Sequence, residues 1–181
     1  MRVTSPLAPE IQHLLTEAQT VDRLETLQIY DTDQERRSFD QYLSGQRPDP
    51  TPTGQAWAKL IHDSPARFRL VHAVTEPLSD YMRYRLTHTY PAAAAAGEEI
   101  TILPIPRGTW PWPVRQQDFW LADTTLVAVE HSGAGRFEHA DILTAGALVA
   151  DARAVFSRAW RMAMPLADYM DRHNGVSAVA L

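Results

Sequence analysis

Phe68-Arg69-Leu70-Val71-His72-Ala73-Val74, followed directly by Thr75-Glu76-Pro77-Leu78-Ser79-Asp80-Tyr81-Met82-Arg83-Tyr84-Arg85, is the stretch on which the fold turns. Its first seven residues are an apolar, β-rich run of strand length. Pro77 suits the first position of a helix, where a missing N–H costs nothing, and this places Thr75 or Glu76 at the N-cap. Leu78, Tyr81, Met82 and Leu86 recur at helical spacing and predict a helix over 77–89. Pro91 and Gly97 close the segment, and Ile100-Thr101-Ile102-Leu103-Pro104 returns as a second strand. Two strands joined by a helical crossover of this length predict a neighbouring parallel pair with a right-handed connection. The first helical turn then stands at the carboxyl end of the first strand, where open α/β sheets hold their ligands.

Working back towards the N-terminus, residues 9–19 carry Ile11, Leu14, Leu15 and Ala18 on one helical face, and 21–31 read as a strand leading to Tyr30. Thr32-Asp33-Gln34-Glu35 is a capping box for a helix that stops at Gly45. Residues 47–54 hold three prolines in five positions and read as an extended linker, followed by a short helix over 55–63. Working forward, 104–113 is a Pro- and Trp-rich loop. Residues 118–122 and 125–131 form a hairpin through Asp123-Thr124, 137–143 read as an edge strand, and a long helix covers 144–164. The expected fold is α+β with an α/β-like core, a small mixed sheet with flanking helices. The expected division is an N-terminal extension (1–46), the linker (47–54), the core domain (55–173) and a flexible tail (174–181).

Composition narrows the function classes. The chain has 181 residues, is 45% apolar and carries net charge −5. The absence of cysteine excludes thiolate catalysis, disulfides and Cys-based zinc sites. No G-x-S-x-G elbow, G-x-G-x-x-G or phosphate-loop motif occurs. The acidic balance argues against direct nucleic-acid binding, and with no leader or membrane-length apolar run the expectation is a cytoplasmic protein without a membrane role. Residues 67–115 alone are positive, with six arginines against four acids. His131, His139 and Asp141 fit no standard metal spacing, so neither a metal nor a cofactor is expected.

The candidate binding residues are Arg69, Glu76, Asp80, Tyr81, Arg83, Asp118 and Trp120. Glu76, Asp80, Tyr81 and Arg83 would gather where the first helical turn offers unpaired N–H groups to an anion, with Asp80 and Arg83 placed to pair. The simpler reading of the same residues is a helix cap with surface ion pairs. Arg67, Arg69, Arg83, Arg85, Arg107 and Arg115 suit a phosphate or an acidic partner, or else solvated pairs with Glu98, Glu99 and Asp118. Trp110, Trp112 and Trp120 suit a protein interface or a small-ligand cleft, or else a cover over the core beneath the loop. Asp118, ahead of Phe119-Trp120, is placed to hold an arginine.

Three blocks carry a resemblance: Thr75-Glu76-Pro77-Leu78-Ser79-Asp80-Tyr81-Met82-Arg83, Ala96-Gly97-Glu98-Glu99-Ile100 with Leu103-Pro104, and Asp118-Phe119-Trp120-Leu121-Ala122-Asp123. Over residues 20–170 the chain resembles a family of unknown function from high-GC Gram-positive bacteria, whose members sit beside a helix-turn-helix regulator and a small companion protein. The element order is also similar to half of a phospholipase D-like domain. A live domain of that type needs His-x-Lys on a strand, and the sole lysine, Lys59, has Trp57 two positions before it. These resemblances imply a non-enzymatic regulatory or sensor module that binds a partner protein, such as the regulator or the companion, or a small anionic ligand, with a homodimer left open. The alternatives are a cryptic hydrolase or transferase at the 76–83 cluster and an antitoxin-like partner of a toxin.

Overall fold

The computed structural model describes every residue except Leu7, Gly108, Trp112, Pro113, Arg115 and 178–181, with backbone alone for 174–177. The strands are β1 (Arg2–Val3), β2 (Thr20–Glu25), β3 (Arg67–Glu76), β4 (Glu99–Pro106), β5 (Asp118–Ala122), β6 (Thr125–His131), β7 (Phe137–Leu143) and β8 (Met164–Pro165). They form one mixed sheet in the order β1-β7-β6-β5-β2-β3-β4-β8. The helices are α1 (Pro9–Glu17), α2 (Asp33–Leu43), α3 (Pro52–Asp63), α4 (Asp80–Tyr84), α5 (Tyr90–Ala96), α6 (Gly146–Met162) and α7 (Leu166–Ser177), with a π-helical turn over Arg85–Thr89. The class is α+β, as expected, although the sheet is wider than the small one anticipated.

The predicted parallel pair is present: β3 lies beside β4 from Arg69↔Glu99 to Glu76↔Pro106. On its other side β3 runs parallel to β2 from Thr20↔Arg67 to Glu25↔His72. β2 also pairs antiparallel with β5, and β5, β6 and β7 continue as an antiparallel meander. The stretch read as an N-terminal extension thus supplies a strand in the middle of the sheet. The stretch read as a linker is tied in as well. Asp49 exchanges hydrogen bonds with the Gln41 amide, and Thr51 Oγ1 accepts from Gly54 N to cap α3, which starts at Pro52.

Alternation sorts the strand side chains onto two buried faces. Val21, Phe68, Leu70, Val74, Ile100 and Ile102 pack towards α1, α3, α4 and α5. Leu24, Val71, Ala73, Leu103, Phe119 and Leu121 pack against Val149, Ala152, Phe156 and Ala159 of α6.

Several sequence expectations are corrected by the backbone. The helix after β3 does not start at Pro77: β3 stays paired through Glu76, the Glu76-Pro77 peptide is cis, and Ser79 is the N-cap, its hydroxyl accepting from Met82 N. Pro91 does not close the helix either. It sits in the first turn of α5, and because it has no N–H to give the carbonyl of residue 87, the preceding turn widens, with Tyr90 N bonding Arg85 O. Gly97, at φ +116°, ends the segment. The predicted edge strand is not an edge, because β1 pairs with β7 and Arg2 clasps Asp141 at 2.9 and 2.7 Å. The reading of 21–31 as a strand holds only to Glu25.

Candidate functional site

β2 and β3 present Arg23, Glu25 and His72 to the helical face, in the alternation positions shared with Val21, Leu70 and Val74. All three are buried, and they meet Arg85 and Tyr90, which leave the π turn and the start of α5 five residues apart. The Glu25 carboxylate is the hub. It lies 3.3 Å from Arg23 Nη1, 3.2 Å from Arg85 Nη2 and 3.4 Å from His72 Nδ1, and it accepts the Tyr90 hydroxyl at 3.0 Å. Arg23 continues the chain of charge to Glu98 at 2.9 Å and stacks over Trp57, whose indole N–H also reaches Glu98. Arg85 lies against the rings of Tyr30 and Tyr90, 4.9 and 4.8 Å from their centroids. Among the described residues, its Nε is the one buried side-chain polar atom with no hydrogen-bond partner.

His72 Nε2 faces the Leu27 carbonyl at 2.7 Å, so that nitrogen carries the proton. Its Nδ1 faces the Tyr90 hydroxyl, which therefore has one proton to offer either to His72 or to Glu25. Burial drives the His72 pKa down to about 4 against the pull of Glu25, so the ring is neutral at pH 7. Burial works to raise the Glu25 pKa, but Arg85, Arg23, His72 and the Tyr90 hydrogen bond outweigh it and hold the carboxyl down at about 2. Glu25 is thus a fixed anion between two fixed cations.

Residues 26–31 form a strap from the end of β2 across the carboxyl end of β3 and the amino end of β5. Gln28 fastens it to β3, donating to the Ala73 carbonyl and accepting from Thr75 N, both within 2.8 Å. Asp118, at the start of β5, accepts from Thr26 N, Thr26 Oγ1 and the Tyr30 hydroxyl at 2.7, 2.8 and 2.6 Å. Burial pushes the Asp118 carboxyl up in spite of these hydrogen bonds, and the charge of Glu25 adds to the rise. The strap also lies flat on the turn between β6 and β7, where Gly135 has φ +82° and an added Cβ would stand 2.2 Å from Ile29 O. Asp31 then pairs with Arg36 and Arg136.

The residues expected to form a site are scattered. Arg69 makes a two-pronged bond to Asp22 at 2.7 and 2.8 Å on the α6 face, under the rings of Phe156 and Trp160. Glu76 accepts from the Tyr169 hydroxyl and from His173 Nε2 of α7, both at 3.0 Å. Tyr81 is buried and donates to Glu35 at 2.5 Å, so only half of the predicted capping box forms: Thr32 caps Glu35 N, while the Glu35 carboxylate turns to Tyr81. Asp80 and Arg83 are both exposed on α4, and among the described residues no ion pair joins them. Asp118 holds Thr26 and Tyr30 and not the arginine anticipated, with His131 3.8 Å away. Trp120 packs near Trp57, opposite Arg23 in the β2 and β5 register. The Trp110 indole N–H bonds Val114 O, whereas Trp112 and Arg115 lie outside the described residues.

Sequence reasoning missed Arg23, Glu25, His72, Arg85 and Tyr90 as a unit. These groups could store and pass a proton, but every one of them is less than 10% exposed. The carboxyl ends of the parallel strands, where a substrate would rest in an open α/β sheet, are filled by the chain's own side chains.

Residues 9–171 match a protein family described as a domain of unknown function, DUF6879. The chain belongs to this family. A search of curated proteins finds no match. Among solved structures the chain is similar to TrmBL2, an archaeal chromatin protein whose structure is described as showing a novel mode of DNA binding. That similarity has 12% sequence identity and a TM-score of 0.50, and covers 91% of this chain and 53% of that one, so this domain spans about half the neighbour's length and shares its fold. No helix among the described residues of this DUF6879 domain is long and apolar enough to cross a membrane.

Proposed function

We propose that this domain is a non-catalytic binding module of a regulatory system, which works by engaging a partner protein. The observation that carries this reading is the filled carboxyl edge. Gln28, bonded to β3, and Thr26 and Tyr30, bonded to Asp118, hold the strap across the carboxyl ends of β2 and β3, and the charges beneath it are spent on one another. A small anionic ligand at Arg85 is disfavoured, because Glu25 is a fixed anion at 3.2 Å and Glu35 also acts on that guanidinium. The sequence supports the same reading by lacking His-x-Lys and a nucleophile elbow. The shared fold makes up about half of a chromatin protein described as binding DNA; at net charge −5 this chain is suited to meeting a DNA-binding protein as a partner more than to touching nucleic acid itself.

The test has two arms. Purified protein is assayed against bis-p-nitrophenyl phosphate and p-nitrophenyl esters, and tagged protein is used for capture from its native host. The reading expects no turnover and reproducible capture of a helix-turn-helix regulator or a small companion protein. Turnover that vanishes in Asp118→Asn or His72→Gln overturns it, and so does the absence of any captured protein.

A further inference from the structure

A second region lies outside the buried network. Where α5 and the π turn run beside the start of α7, a groove of about 500 Å³ opens over the outer side of β4. Leu86 and Ile100 form its floor, Pro91 and Ala94 one wall, and Leu166 and Met170 the other. β8 covers β4 only at Thr101 and Ile102, so the groove runs along a sheet border that the domain itself leaves incompletely sheltered. Thr87 is the one polar side chain in the lining. Metabolite pockets pair an apolar body with several convergent polar groups, and that feature is missing here. Small proline and alanine walls facing an adaptable methionine suit the close approach of a helix.

Charge fixes the kind of helix. Arg83 stands one turn before Thr87, whose hydroxyl bonds the Arg83 carbonyl at 2.7 Å, and Arg172 stands one turn after Tyr169 on α7. Both arginines are exposed, and among the described residues neither closes an ion pair. Asp80, Asp168 and Asp171 share their helices without engaging them. α7 reaches Glu76, at the end of β3, through Tyr169 and His173, and α4 sets out from the same strand end, so Arg172 and Arg83 stand at the Glu76 end of the two helices; burial and the charge of Glu76 raise the pKa of the Tyr169 hydroxyl, and both arginines act against that rise. A second copy of the chain is a poor occupant. A two-fold contact here would set one concave face against another and arginines against arginines.

We infer that this groove is the docking surface for an amphipathic helix of the partner protein, whose apolar side fills the groove and whose acidic residues, at one end, meet Arg83 and Arg172. The inference rests on the binding-module reading and deepens it. The experiment places the photo-crosslinker p-benzoylphenylalanine at Thr87, and at exposed Thr144 as a control, in the full chain expressed in its native host, and sequences the partner peptide in each adduct. The expected adduct forms at Thr87 and not at Thr144. Its peptide has apolar residues at helical spacing with Asp or Glu at one end. Its yield falls on the order of tenfold or more in Arg83→Glu/Arg172→Glu, with an unchanged melting temperature. Equal adducts at both positions, a peptide from the chain itself, or a yield indifferent to charge reversal would overturn the inference. If capture succeeds but Thr87 gives no adduct, the groove proposal alone fails; if nothing is captured at all, the binding-module reading fails with it.

Discussion

Arg83 and Arg85 leave the same helical segment two positions apart, about 200° around its axis, and their surroundings share almost nothing. Arg85 is buried between two tyrosine rings with Glu25 at 3.2 Å. Arg83 is exposed beside an apolar groove and unpaired among the described residues. A buried guanidinium must be matched because its desolvation is expensive, whereas an exposed one is stabilised by water and is free to meet another molecule. The contrast separates a charge that the fold needs from a charge that the fold can lend.

The contrast breaks most readily at its buried end. Glu25→Ala leaves Arg23 and Arg85 facing each other without their shared carboxylate, and the expected loss is about 3–5 kcal/mol in urea-induced unfolding. A loss below about 1 kcal/mol would mean that the network relaxes to solvent and is no different in kind from Arg83.

Acid titration sharpens the comparison, because the signs of its parts differ. His72 has its folded pKa pushed below the unfolded value, so protonation favours the unfolded chain. Stability is full above about pH 6.5 and falls as pH drops towards about 4, by at most about 3 kcal/mol. Glu25 also has a depressed folded pKa, so its contribution is present above the ordinary carboxylate range and is lost as pH falls towards about 2. Asp118 is shifted up and opposes both, since its protonation favours the folded state. The net expectation is a decline that begins near pH 6.5, before the carboxylates titrate. His72→Gln should remove that early part of the curve; an unaltered curve would place the titration elsewhere.

The smallest effects belong to pairs nearer solvent. Asp22→Ala takes two hydrogen bonds from Arg69, which keeps its contacts with Phe156 and Trp160 and is partly exposed, so a loss of about 2 kcal/mol is expected in the same assay. Arg83→Ala should leave the melting temperature where it is. A marked drop for Arg83→Ala would move Arg83 into the structural class and remove the distinction.

Elements set by local rules were legible from sequence. Phe68 to Val74 and Ile100 to Leu103 are apolar runs, Asp123-Thr124 is a tight turn, and Thr32 caps the helix after it, all without distant help. The site was not legible, because its members are brought together only by the sheet. Arg23 and Glu25 alternate with Leu24, a pattern that ordinarily signals a solvent-facing side; only the cover of Trp57 from α3, Arg85 from the π turn and Tyr90 from α5 turns that side inward. Arg85 and Tyr90 are five apart, and they converge on Glu25 because the turn between them is π-helical. The signal that could have found them is Pro91, whose missing N–H falls at the carbonyl of residue 87.

The position of β2 also bears on how the chain reaches this structure. It is the first long strand made, yet it ends in the middle of the sheet, its Val21 paired with Phe68 on one side and Ala122 on the other. β5, β6 and β7, by contrast, pair with near neighbours in sequence and close on the timescale of hairpins. Assembly therefore waits on distant contacts, the kind that slow folding most. Until β2 arrives, the meander offers the bare edge of β5 and the parallel unit offers that of β3. β2, which carries Arg23 and Glu25, is enclosed only when β3 and β5 both stand beside it, so the charged hub is buried only when both halves are in place.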